Sequence, residues 1–127
     1  MKKTRSVLAL LSLSACGDIQ TYPAQIEKQA SAVAATTATP LDQIAITADS
    51  KIAGKTFTTV GPVKGTVAKV TAFHPAPTVE QGEQKLRVEA AELGADAVIN
   101  AKIGAVEICP LSWGCRHVSG TAVKFTN

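Results

Sequence analysis

The sequence predicts an α+β domain: one helix packed on a small, mostly antiparallel β-sheet, with a C-terminal β-hairpin stapled by a disulfide. Three observations predict it. Thr78–Ile103 (TVEQGEQKLRVEAAELGADAVINAKI) reads as an amphipathic helix, a tight stop and a strand running back along the helix. Strand-period stretches lie before and after it, and that order places a helix on one face of an antiparallel sheet. Cys109 and Cys115 bracket the turn Pro110-Leu111-Ser112-Trp113-Gly114 between the last two strands.

The first 15 residues read as an export signal. Met1–Arg5 is a positive start with Lys2, Lys3 and Arg5, Val7–Leu13 is a short apolar run, and small residues follow. The run is too short to cross a hydrocarbon core of about 30 Å, so it is not a transmembrane helix. Leu13-Ser14-Ala15-Cys16 resembles the bacterial lipobox. That resemblance implies cleavage before Cys16, which becomes a triacylated, palmitate-bearing N-terminus, and multiple chains give stable anchoring. The covalent lipid on Cys16 is the one prosthetic group expected. Gly17 follows where an aspartate would signal retention in the inner membrane, so the expected address is the outer membrane with the domain in the periplasm.

Those three cations also account for the net charge of +3: of thirteen Lys and Arg, ten remain after Cys16 against ten Asp and Glu. A neutral mature chain lacks the basic footprint of a nucleic-acid binder. Residues 16–43 become Ala/Thr/Ser-rich at Ala30–Pro40, and clustered Thr with Pro40 argues against a helix. They read as a lipidated, flexible tether with an r.m.s. reach of roughly 30 Å. The folded domain is then 44–127. Aromatics make up only 4% of the chain, so its core must be built from Val, Ile, Leu and Ala.

Ile44–Ile46 is a short strand ended by the Asp49-Ser50 turn. Thr56–Val60 and Val63–Phe73 are two more, broken at Gly61-Pro62, and Pro75 and Pro77 lead into the helix. Thr78 and Gln81 form a capping box, Val79, Gly82, Leu86, Ala90 and Leu93 make a narrow apolar stripe, and Gly94 supplies the left-handed stop. In the next strand Ala97, Ile99, Ala101 and Ile103 alternate with Val98, Asn100 and Lys102. Val118–Phe125 is the last strand.

A domain this small benefits from a staple. Cys109 and Cys115 can supply it across facing strands, and an oxidising periplasm favours the bond. Closing about seven residues contributes roughly 2.4 kcal/mol. The alternative reading is a metal site built from Cys109, Cys115 and His117, with His74 as a further donor. Gly54-Lys55-Thr56 has the tail of a phosphate-binding loop, but Asp49 stands where its first glycine belongs. The chain carries no nucleophile elbow and no His-Glu-x-x-His, and Glu80, Glu83, Glu89 and Glu92 fall on the solvated helix face. A non-enzymatic role is expected.

Leu93-Gly94-Ala95-Asp96-Ala97-Val98-Ile99, Val118–Lys124 and Val60-Gly61-Pro62-Val63-Lys64-Gly65 resemble the small domain of the YbjQ type, a family described as heavy-metal-binding. The resemblance implies the α+β fold and brings no mappable ligand set. The overall layout, with Ile52–Phe57 and Gly114-Cys115, is similar to the outer-membrane lipoproteins that sense envelope stress for the Rcs phosphorelay, which carry four cysteines where this domain has two. Together these imply a lipoprotein whose domain binds an envelope protein partner, with metal binding or a structural place in an envelope assembly as alternatives. Nothing in the sequence specifies an oligomeric state.

Overall fold

The computed structural model describes residues 20–34, 39–69, 71–110 and 112–126, Gln20 in its backbone only. The export signal and Cys16 lie outside the described residues. One sheet holds five strands, in the order β1 (Gln20–Thr21), β3 (Phe57–Ala68), β5 (Cys115–Phe125), β4 (Ala97–Ile103) and β2 (Ala45–Ile46). β5 runs antiparallel to both neighbours, whereas the two-residue edge strands β1 and β2 pair in parallel with β3 and β4. The fold is α+β with an antiparallel centre. No described helix is long and apolar enough to cross a membrane.

Helix α2 (Val79–Glu92) crosses one face of the sheet, and a second helix, α1 (Pro23–Ala34), packs beside it. α1 corrects the tether reading of 16–43. Pro23 begins the helix, the side chain of Gln25 accepts from the Tyr22 N–H, and Ile26, Ala30 and Val33 form a stripe at spacings that face one neighbour. Ile26 and Val33 are buried in the same core as Leu86, Val88 and Ala91 of α2. That tertiary burial outweighs the weak helix propensity of the segment.

α2 begins and ends as its sequence dictates. Thr78 Oγ1 accepts from the Gln81 N–H at 3.1 Å, and Gln81 Oε1 accepts from the Thr78 N–H at 2.9 Å. At the other end Gly94 has φ +72°, with Gly94 N–H donating to Ala91 O and Ala95 N–H to Ala90 O, a Schellman stop. Gly82, Leu86 and Ala90 of the expected stripe are buried, but Val79 and Leu93 at its ends are exposed. Lys85, Val88 and Ala91 are buried instead, because α1 covers a second side of α2. The Lys85 stem runs over Gly65, and its ammonium meets Glu89 Oε1 at 2.7 Å and Gln29 Oε1 of α1 at 3.4 Å. At Gly82 the helix approaches the sheet so closely that a Cβ would stand 2.9 Å from Val118 Cγ1 and 3.2 Å from Ile103 Cγ2.

Two strand readings are corrected. The expected break at Gly61-Pro62 is a bulge within one long strand, where the register with β5 slips between Thr59 and Gly61. Proline is tolerated at a bulge on an edge, and β1 covers only Thr66 and Val67 of β3. In β4 the alternation reverses halfway. Val98 packs toward the helices while Ala97 and Ile99 pack on the opposite face; then Ala101 and Ile103 pack toward the helices. Asn100, with φ +52°, inserts the bulge that switches the parity, and its N–H is taken by Asp49 O.

On the face away from the helices, Ile52, Phe57 and Phe125 close over Ala97, Ile99 and Val123. Asp96 ties this end together: Oδ1 accepts from Thr39 Oγ1 at 2.6 Å and Oδ2 from the Phe125 N–H at 2.8 Å. Gly54-Lys55-Thr56 forms the turn into β3 here, with the Lys55 ammonium 5.2 Å from the centre of the Phe125 ring. No phosphate loop is built.

Candidate functional site

The other end of the sheet is organised by Cys109 and Cys115. β5 begins at Cys115, opposite Ala68, the last residue of β3. The 104–114 segment that precedes it is held to the sheet at three places, the first where Gly104 N–H donates to His117 O at 2.8 Å. Glu107 and Cys115 exchange both backbone hydrogen bonds at 2.8 Å, and Lys69 N–H donates to Gly114 O at 2.8 Å. Ser112 Oγ donates to Gly114 O at 2.8 Å and tightens the turn. The disulfide forms as the sequence predicts, its Cα atoms 5.9 Å apart, inside the range the bond accepts. Ala68 and Tyr22 pack against it in a small cluster of its own.

His117 lies two residues along β5, on the same face as Cys115. Its Nδ1 is 2.8 Å from the hydroxyl of Thr66, the residue opposite it on β3. Its Nε2 is 3.0 Å from Glu107 Oε1, 3.5 Å from Cys109 Sγ and 3.7 Å from Cys115 Sγ. A carboxylate only accepts, so Nε2 carries the proton given to Glu107, and in that neutral tautomer Nδ1 is the acceptor for the Thr66 hydroxyl.

Of the sequence-predicted metal donors, Cys109, Cys115 and His117 converge. His74 does not: it sits on the segment after β3 with Nδ1 2.7 Å from Thr71 Oγ1. Glu107 completes the group, and one donor atom from each of the four residues lies within 4.8 Å of the others. No sequence spacing marks Glu107, since 107–109 lies outside any strand; its bridge to Cys115 brings it to the group. While the sulfurs are bonded to each other they offer no thiolate, so this state presents an imidazole and a carboxylate alone to a cation.

Two flanking segments carry the largest bare apolar side chains. Phe73 is 98% exposed on the segment after β3; Ile108 and Trp113 are 91% and 69% exposed on the segment before β5. Val106 is half-exposed beside them in sequence. A cleft of about 620 Å³ lies elsewhere, lined by Ala34, Pro40, Leu41, Asp42, Gln84 and Arg87. Among the described residues its lining offers no thiol, hydroxyl or imidazole, and Arg87 there is occupied by Ile44 O and Glu83. The disulfide end, which concentrates reactive donors and bare apolar surface, is therefore the better candidate. Compared with known proteins, the chain matches no family model and no curated protein.

Proposed function

We propose that this is a non-enzymatic, lipid-anchored envelope protein whose domain binds a protein partner through the disulfide-clipped end of its sheet. One observation carries the reading: among the described residues Phe73, Ile108 and Trp113 are the three most exposed large apolar side chains, and they lie on the segments that leave β3 and lead into β5. Bare apolar side chains gathered in one place mark interaction surfaces, and a tryptophan beside aliphatic neighbours is the usual anchor of a protein interface. The lipid on Cys16 and the outer-membrane address rest on the signal segment and lipobox.

Helix α1 changes the geometry of that proposal. With β1 starting at Gln20, only residues 17–19 separate the anchor from the sheet in sequence, a span of at most about 14 Å fully extended. The domain is held close to the bilayer. Its partner therefore presents its contact surface at the membrane as well, in keeping with the envelope-stress sensors this layout resembles.

The test places a photo-crosslinking residue at Ile108, Trp113 or Thr58 in the full chain in its own membrane. Ile108 and Trp113 give a discrete adduct with one envelope protein, and Thr58, at the far end of β3, gives none. Ile108→Asp abolishes the Trp113 adduct without changing the melting temperature. Adducts from Thr58 as strong as those from Trp113, or none from any position, overturn the reading. The intact mass of membrane-extracted protein, starting at Cys16 with three acyl chains, checks the anchor.

A further inference from the structure

We infer that reduction of the Cys109–Cys115 disulfide turns this corner into a tetrahedral site for a thiophilic divalent cation of the zinc class. Its ligands are Cys109 Sγ, Cys115 Sγ, His117 Nε2 and Glu107 Oε1, with Thr66 holding the far side of the imidazole. The inference stands apart from the partner surface, since it uses none of the bare apolar side chains.

The distances carry it. Around a tetrahedral zinc, sulfur–nitrogen edges are about 3.6 Å and a nitrogen–oxygen edge about 3.4 Å, from ordinary metal–ligand bond lengths. Here Nε2 stands 3.5 and 3.7 Å from the two sulfurs and 3.0 Å from the carboxylate oxygen. The carboxylate–sulfur edges lie within 4.8 Å, and the edge between the sulfurs opens to about 3.8 Å once the bond is broken. Cys115 and His117 are fixed by β5, and Glu107 by its two backbone bonds to Cys115, none of which depends on the disulfide. Cys109 is the one ligand on irregular backbone, so the opening falls on the segment free to absorb it.

The second shell is present too. When Nε2 gives up its proton to bind the cation, Nδ1 takes one and donates to Thr66 Oγ1, which is 2.8 Å away and switches from donor to acceptor. Metal-bound histidines are held in this way by an outer partner. Thr66 is buried, while the Glu107 and His117 side chains are about half-exposed and leave an entry path from solvent.

The step balances with a dithiol reductant. Thiol–disulfide exchange breaks the Cys109–Cys115 bond, passes two electrons and two protons to its sulfurs, and leaves the reductant as its own disulfide. The cation then displaces the two thiol protons into water and undergoes no redox change itself. Oxidation expels it by removing both thiolates. Metal retention thus reads out the redox state of the pair.

The experiment uses the full chain carrying Cys16→Ser, so that the pair supplies the only thiols. Cobalt(II) and zinc(II) are titrated without oxygen, before and after reduction by a phosphine. Reduced protein takes one equivalent, and cobalt shows the d–d bands of tetrahedral coordination with a thiolate charge-transfer band. Oxidised protein binds at least about 100-fold more weakly. Glu107→Gln and Thr66→Val each cost the reduced protein about 10-fold or more in zinc affinity. Both keep the shape of the residue replaced, and unchanged circular dichroism separates lost ligation from lost folding. Equal binding by oxidised and reduced protein, octahedral cobalt, or an unaltered affinity in Glu107→Gln overturns the assignment.

Discussion

The two ends of the sheet solve the same packing problem with different materials. At the end where β3 starts and β5 finishes, Ile52, Phe57 and Phe125 cover Ala97, Ile99 and Val123, and Asp96 laces the strands to Thr39. At the other end the described residues that pack together are Ala68, Tyr22 and the disulfide, and Phe73, Ile108 and Trp113 are exposed. One end is closed by burial, the other by a covalent bond that leaves its apolar side chains bare. A domain that needs a binding surface cannot also bury it, and the cross-link offsets what is lost. On the proposed reading, stability and recognition fall to opposite ends.

The comparison breaks first at the closed end. Ile99→Ala leaves a cavity under Phe57 and Phe125 and costs about 3 kcal/mol, read by urea unfolding. An effect below about 1 kcal/mol would mean that this end is not held by burial. Next, Cys109→Ser together with Cys115→Ser costs about 2.4 kcal/mol, or less where the Glu107–Cys115 bonds already stiffen the reduced chain. Measured in both backgrounds, Ile99→Ala has the same cost with and without the disulfide, because the two sites share no contacts. Strong coupling between them would dissolve the division into two ends.

Much of this was legible in the sequence, and the exceptions have physical causes. The capping box at Thr78, the stop at Gly94 and the Cys109–Cys115 bond depend on residues close in sequence, so local chemistry determined them. Helix α1 was missed because clustered Thr and Pro40 argued against a helix, while the burial of Ile26 and Val33 against α2 exists only once the domain has assembled. The faces of β4 were misassigned because a period of two assumes uninterrupted pleating, and the left-handed Asn100 breaks it. At the site, Cys109, Cys115 and His117 were marked by type and spacing. Glu107 and Thr66 became visible only through strand register, which pairs Glu107 with Cys115 and Thr66 with His117.

The smallest expected effect sharpens the comparison through pH. The hydrogen bond from Thr39, then that from the Phe125 N–H and the charge of Lys124, hold the Asp96 carboxyl below its usual 3.8 against a smaller opposing effect of burial. The folded state therefore favours the carboxylate. Its contribution is complete above pH 3.8 and disappears as pH falls through the lower folded value. Asp96→Asn keeps one acceptor and loses the charge, so it costs about 1 kcal/mol at pH 6. That gap narrows toward zero as the pH falls through the folded value. Glu92 behaves oppositely. Burial and then the Glu89 carboxylate raise it above 4.5, against the pull of Lys85, so its ionisation opposes folding near neutrality. Glu92→Gln is neutral or slightly stabilising at pH 6 and removes nothing from the acid limb that belongs to Asp96. Urea unfolding of wild type and both variants across the acid range separates the two signs. An Asp96→Asn gap independent of pH would mean that the Thr39 and Phe125 bonds do not favour the ionised form, and that the closed end rests on its apolar cluster alone.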